Sequence, residues 1–366
     1  MAMTTIKDIF KTHGPEYVQR FEDSMPPQHL KVIAAITNCK TNHYGATIYG
    51  CKKCGRRHIF FRSCGNRHCP GCQHHKTRQW LNKQIKRQLP GHHFMITFTV
   101  PQQLRGFIRS NPRKAYSALF SASAESMKKL AHDPKYIGAD LPGFFGVLHT
   151  WGRQLQYHPH IHYIVPGGGL SKNDGRWHPS RIDFYLPVRA MSKIFKAKFK
   201  RQMKNHNLYS QIPDQVWQQS FNVDCQPVGS SERSIKYLAP YVFKVAISDY
   251  RIVEFVNRQV LFKYKKTGSN RWRTMSLEVM EFIRRYLQHV LPTGFMKIRY
   301  YGFLNPNSSV SLSKISVLIQ LAFGFWVRLP VATIEPPKMP TCPDCGANLI
   351  YHSSINPRWM TAAGAG

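Results

Sequence analysis

The stretch QYHPHIHYIVPGG, residues 156–168, carries three histidines at alternating positions. The surrounding Tyr, Ile and Val favour extended backbone, and side chains two apart on a strand leave from one face, so His158, His160 and His162 point the same way. Imidazoles spaced like this on a rigid strand can hold a divalent ion with positions open to water or a phosphate oxygen. Such an ion is a Lewis acid for a phosphodiester. The preceding apolar run GFFGVLHTWG reads as a second strand. If the two pair as an antiparallel hairpin with Trp151 opposite His158, His149 falls opposite His160, on the same face. The expected set is therefore His149, His160 and His162, with His158 in support. Pro159 suggests an edge strand, and the PGGG that follows allows close backbone approach by a ligand. The competing interpretation is a set of satisfied histidines on a half-buried strand.

A metal site of this kind needs a nucleophile. SERSIKYLAPYVFKVAIS places Tyr237 and Tyr241 four apart, one above the other if helical, beside the cations Lys236 and Lys244. A phenol is a weak nucleophile at its free pKa near 10, and nearby positive charge favours the phenolate. Pro240 must then lie in the first turn or mark a kink. Core aromatics at helical spacing are the alternative.

Six of the nine cysteines lie between Cys39 and Cys72. Cys51-x-x-Cys54 and Cys69-x-x-Cys72, each beside glycine, are expected to form one four-cysteine zinc site. Cys39 with His43, and Cys64 with His68, share an i, i+4 spacing that suits a second, interleaved zinc. His58 reads as a solvated loop residue, and Cys342-x-x-Cys345 as half a knuckle without a clear partner. Metal binding would supply the folding energy of so small a module.

The chain has 366 residues and a formal net charge of +34, a field suited to a polyanion, nucleic acid first. Membrane binding is disfavoured: VLIQLAFGFWV, the longest apolar run, is too short to span a bilayer, and MAMTTIKDIF lacks a signal-peptide core. A cytoplasmic location is expected. Basic residues cluster on an expected helix (Lys76, Arg78, Lys83, Lys86, Arg87) and around Lys263, Lys265 and Arg271, where Phe262, Tyr264 and Trp272 interleave as if to stack on unpaired bases. No G-x-x-x-x-G-K-[ST] motif is present, so no ATPase is expected. Length predicts two or three structural units.

HPHIHYIVPGGGL resembles the His-hydrophobic-His motif of HUH single-strand endonucleases, and YLAPY resembles the paired tyrosines of their two-tyrosine branch. With SCGNRHCPGCQ and EFIRRYLQHVLPTGFMKIRYYGFL, the chain resembles rolling-circle transposases of bacterial insertion sequences of the IS91 type over most of its length. His43 lies closer to Cys39 than the corresponding histidine of many such relatives. The resemblance implies an α+β chain in three parts: an N-terminal zinc module (residues 1–90), an HUH nuclease core (91–250) with an RRM-like antiparallel sheet and flanking helices, and a basic C-terminal region with a disordered tail (251–366). It implies Mg²⁺ or Mn²⁺ on His160, His162 and a third polar ligand, for which Gln154 and Gln156 rival His149. It also implies that Tyr237 and Tyr241 attack single-stranded DNA, leaving a 5′-phosphotyrosyl enzyme and a free 3′-OH, with host helicase or replication machinery unwinding the substrate. A zinc-dependent regulator without catalysis, and a plasmid-type replication initiator or relaxase, are the alternatives.

Overall fold

The computed structural model describes residues 4–230, 246–266, 269, 271–324 and 339–357. Two N-terminal helices, α1 (Ile6–Phe21) and α2 (Pro27–Thr37), precede a short hairpin of β1 (Ala46–Cys51) and β2 (Arg57–Phe61) and a basic helix, α3 (Gln73–Ile85). A Thr5–Asp8 capping box starts α1, so its first backbone donors are satisfied locally.

The centre is a five-stranded antiparallel sheet. It contains β3 (His92–Thr99), β4 (Phe144–Trp151), β5 (Tyr157–Pro166), β8 (Asn222–Ser230) and β12 (Ile298–Tyr301), ordered β12-β4-β5-β3-β8. Between β3 and β4 the chain forms α4 (Leu104–Ser110) and α5 (Pro112–His132). Pro112 sits at the first helical position of α5, where a missing N–H costs nothing. After β5 come the small hairpin β6 (Gly168–Leu170) and β7 (Trp177–Pro179), then α6 (Val188–Asn205).

Strand alternation gives the sheet two unlike faces. Phe94, Ile96, Phe98, Ile161 and Tyr163 point to one side and pack with Phe120 of α5 and Phe195 and Phe199 of α6. On the other side, Met95, Phe145, Val147 and Ile164 are covered by Trp80 of α3 and by Ile315 and Ile319 of α8 (Leu312–Phe323). The histidines occupy the same face further along.

β9 (Ile252–Val256), β10 (Gln259–Lys265) and β11 (Trp272–Glu278) form a second antiparallel sheet that packs with α7 (Val279–Leu287) and the N-terminal helices. β13 (Leu349–Ile355) pairs with β1 in the order β13-β1-β2, so the C-terminal segment completes the N-terminal module. β12 likewise carries the core sheet past residue 250. Fold class follows the expectation of an α+β chain built on an antiparallel sheet. Among the described residues, no helix is long and apolar enough to cross a membrane.

Two local readings of the histidine strand are corrected. β5 lies between β4 and β3, so it is a central strand and not an edge. Pro159 is accommodated because the register with β4 shifts there: His149 pairs with His160, but Trp151 pairs with Tyr157 instead of His158. The PGGG glycines answer to packing within the chain. A Cβ on Gly167 would lie 2.1 Å from the His92 ring, and Gly168, at φ 148°, would meet the His178 carbonyl at 2.4 Å.

Candidate metal centre and cysteine clusters

β5 presents His158, His160 and His162 on the face opposite buried Tyr157, Ile161 and Tyr163. Pairing across β4 and β5 brings in His149, and the candidate ligand atoms of His149, His160 and His162 all lie within 4.8 Å of one another. Ring centroids are 4.7 Å apart for His160 and His162 and 4.8 Å for His149 and His162.

The hydrogen bonds fix the tautomer that a metal needs. His160 Nδ1 lies 2.7 Å from the His158 carbonyl, which can only accept, so Nδ1 is the protonated nitrogen and Nε2 keeps its lone pair. His162 Nδ1 lies 2.9 Å from Thr97 Oγ1 on the adjacent strand, where the hydroxyl can accept in the same way. Burial pushes His160 down to about 4 and His162 to about 3, so both are neutral imidazoles at neutral pH. Neutral, buried and oriented through the second nitrogen is the condition of a histidine ligand. The cluster therefore fits a divalent ion. Gln156 Oε1 instead accepts from the Gln154 backbone N–H at 2.9 Å, which closes the hairpin turn.

The cysteines assemble differently from the expectation. Cys39, Cys64, Cys69 and Cys72 form one cluster, and Cys51, Cys54, Cys342 and Cys345 form another. The two Cys-x-x-Cys pairs of the N-terminal segment thus serve separate clusters, because β13 docks on β1 and carries Cys342 and Cys345 to Cys51 and Cys54. The half knuckle is complete. His43 is exposed and meets Tyr44 edge-on, while His68 turns inward and its Nε2 accepts from the Leu291 N–H at 3.3 Å. Neither joins a cysteine cluster. His58 is no solvated loop residue: it lies on β2, with Nε2 3.2 Å from Cys342 Sγ and 3.8 Å from an Asp344 carboxylate oxygen.

Sulfur separations support metal over disulfide. Cys39–Cys72 and Cys64–Cys72 are 3.3 and 3.4 Å apart, and Cys51–Cys345 and Cys54–Cys342 are 3.4 and 3.7 Å apart. Four thiolates at 2.3 Å around a tetrahedral zinc stand about 3.8 Å apart, whereas a disulfide needs about 2.05 Å. Some thiols of each cluster are driven toward thiolate: contact with Cys69 lowers Cys64 to about 5, the Cys54 backbone N–H lowers Cys51 to about 6, and, against burial, backbone N–H groups of Cys345 and Asp344 lower Cys342. Burial instead raises Cys39 to about 11, so a full thiolate set requires a cation.

The basic residues are spread over two surfaces. On α3, Lys83 is exposed, as is Lys86 just past the helix, and Arg78 is also exposed. Lys76 donates to the Gly65 carbonyl, and Arg87 donates to the Leu304 carbonyl and lies over Tyr300, which docks this segment on the core. On the second sheet, Lys263 and Lys265 flank the half-exposed Trp272 ring at 5.7 and 5.3 Å, and Arg271 is exposed beside it. Phe262 is fully buried on the other face and offers no stacking surface, which corrects that part of the expected aromatic track. Tyr237, Tyr241, Lys236 and Lys244 lie outside the described residues.

Comparison with known proteins places this architecture. Residues 143–311, which hold the histidine cluster, match a family model described as "Putative transposase", and residues 9–100 match a "Transposase zinc-binding domain" of the IS91 group. The chain is 35% identical over 319 residues to the protein named "Putative transposase y4qJ" of Sinorhizobium fredii, covering 82% of this chain and 80% of that one. It is 26% identical over 360 residues to the transposase for insertion sequence element IS801 of Pseudomonas savastanoi pv. phaseolicola, covering 89% and 84%. No solved structure matches significantly. The chain belongs to the transposases, and within them to the IS91 type, with that group's zinc-binding domain.

Proposed function

We propose that this transposase cuts and rejoins single-stranded DNA through a 5′-phosphotyrosyl intermediate, as in rolling-circle transposition. The observation that carries the reading is the convergence of His149, His160 and His162 on one sheet face, with the His160 tautomer fixed for ligation. These three residues would hold Mg²⁺ or Mn²⁺. Bound there, the ion would withdraw charge from the scissile phosphate and from the departing 3′ oxygen.

The nucleophile is assigned to Tyr237 or Tyr241, from the sequence motif alone. Its phenolate oxygen forms a bond to phosphorus, the bond from phosphorus to O3′ breaks, and the 3′ oxygen leaves and takes a proton. Rejoining is the reverse: an incoming 3′-OH attacks the phosphotyrosine and releases the phenol. A phosphotyrosyl diester keeps the energy of the broken bond, so joining needs no ATP. Lys83, Lys86, Lys263, Lys265 and Arg271, with Trp272 for stacking, would supply contacts to the strand. The two cysteine clusters are assigned structural zinc, one ion each. The protein would act in the cytoplasm, where host helicase or replication machinery provides single strands.

Replacing His160 or His162 with Ala is expected to lower cleavage of single-stranded element-end DNA by at least about 100-fold at saturating Mn²⁺. DNA affinity without metal should stay unchanged. Cleavage at the wild-type rate in both variants would refute the assignment of the centre.

A further inference from the structure

Strand β3 ends at Thr99, opposite His160, and the chain then turns at Pro101 into α4, which packs against β5. The Leu104 and Arg105 backbone N–H groups donate to the Pro101 and Gln102 carbonyls and fix this turn. Leu104 and Ile108, one helical turn apart, are buried in the same core as Tyr157 and Ile161 of β5, which sets the rotation of the helix. Arg105 follows Leu104 and is half-buried. Its Nε is buried and has no hydrogen-bond partner among the described residues. Burial holds the guanidinium below its ordinary pKa with no carboxylate acting against it, and the group still stays charged at physiological pH. Beyond the effect of burial, that charge helps lower both His158 and His160, so Arg105 stands within electrostatic reach of the candidate metal ligands.

A fixed positive charge beside a site for a divalent ion is unfavourable by itself. A buried donor without an acceptor costs free energy as well. One anion shared between the two relieves both costs. A phosphodiester has the form for this, because its two non-bridging oxygens carry one charge between them and can face different neighbours. As phosphorus becomes five-coordinate, negative charge grows on those oxygens, and a donor already in place gains most at that moment. Arginine suits the task better than lysine, since its planar fork of donors matches phosphate oxygens.

We infer that Arg105 is a catalytic residue whose guanidinium donates to one non-bridging oxygen of the scissile phosphate, leaving the other to the centre formed by His149, His160 and His162. The inference rests on the cleavage reading above and deepens it by naming the protein group that shares the phosphate with that centre.

The test uses the full chain with Arg105→Gln and Arg105→Lys. In calorimetric titration with Mn²⁺ alone, removing the positive charge should leave Mn²⁺ binding as tight as in the wild type or tighter. Strand contact is read in Mn²⁺ with fluorescein-labelled element-end oligonucleotides, in proteins that also carry Tyr237→Phe and Tyr241→Phe so that strands stay whole. Each oligonucleotide has one methylphosphonate, a neutral group with methyl in place of one non-bridging oxygen, and its two stereoisomers are separated. With Arg105 present, one isomer at one position should bind about tenfold more weakly than the natural strand, the worth of a charged hydrogen bond. With Arg105→Gln that isomer and the natural strand should bind alike, and Arg105→Lys should fall between. Cleavage by Arg105→Gln with both tyrosines intact should drop about 100-fold. Weaker Mn²⁺ binding in both variants would make Arg105 a support for the histidines and overturn the inference, as would an isomer effect that is absent or persists undiminished in Arg105→Gln. Cutting at the wild-type rate in both variants defeats the role of Arg105 and leaves the nuclease standing. The isomer pattern without any cutting by the wild type upholds the contact and defeats the nuclease.

Discussion

At the residue scale, the histidine cluster depends on the groups that hold each ring. A β-strand points His160 and His162 to one face, but rotation about χ2 would leave either nitrogen inward. The His158 carbonyl removes that freedom for His160, and Thr97 does so for His162. Thr97→Val keeps the β-branched shape and deletes the hydroxyl, leaving the His162 ring neutral but unoriented. We expect it to weaken Mn²⁺ binding about tenfold, as loss of an outer partner does, with little change in thermal stability, measured by calorimetric titration alongside thermal unfolding. Unchanged Mn²⁺ affinity would show that Thr97 does not orient a ligand.

At the element scale, the legible and the hidden separate by sequence distance. Alternation over residues 144–166 displays both strands, and a short hairpin leaves few registers, so the pairing of His149 with His160 could be argued from sequence. The extra residue around Pro159 could not, because a bulge has no marker beyond the proline that it accommodates. The cysteine partition was hidden for a different reason: local spacing shows that Cys51 and Cys54 form a knuckle but not which distant pair faces them. Cys342 and Cys345 arrive from almost 300 residues away, on a strand whose partner is fixed only by the assembled fold. The burial of Phe262 was readable in principle, since it alternates with Lys263 and so faces away from the basic surface. This architecture predicts that zinc content falls selectively. Cys345→Ser should lower bound zinc from two ions per chain to one and expose β1 and β13 to hydrogen exchange, while the histidine sheet stays protected. Loss of both ions in that variant, or of neither, would contradict two independent clusters.

At the scale of the whole molecule, charge and layering combine. A net charge of +34 favours DNA everywhere on the surface, which gives affinity without placement. On the proposed reading, placement comes from the sheet, whose apolar half is covered by α3 and α8 and whose other half carries the histidines. The C-terminal chain ties these parts together, with β12 extending the core sheet and β13 closing the zinc module. The zinc module would thus report to the sheet through α3, where Trp80 Nε1 donates to the Tyr300 hydroxyl of β12 at 3.1 Å. The central claim, a metal-assisted tyrosine nuclease, is tested most directly by incubating the protein with single-stranded element-end DNA and Mn²⁺, digesting both, and identifying any nucleotide-bearing peptide by mass spectrometry. The account predicts a 5′-phosphate linked to Tyr237 or Tyr241, abolished by EDTA and absent from the double Phe variant. Tight binding with no adduct, or cut ends bearing free 5′-phosphates, would contradict it.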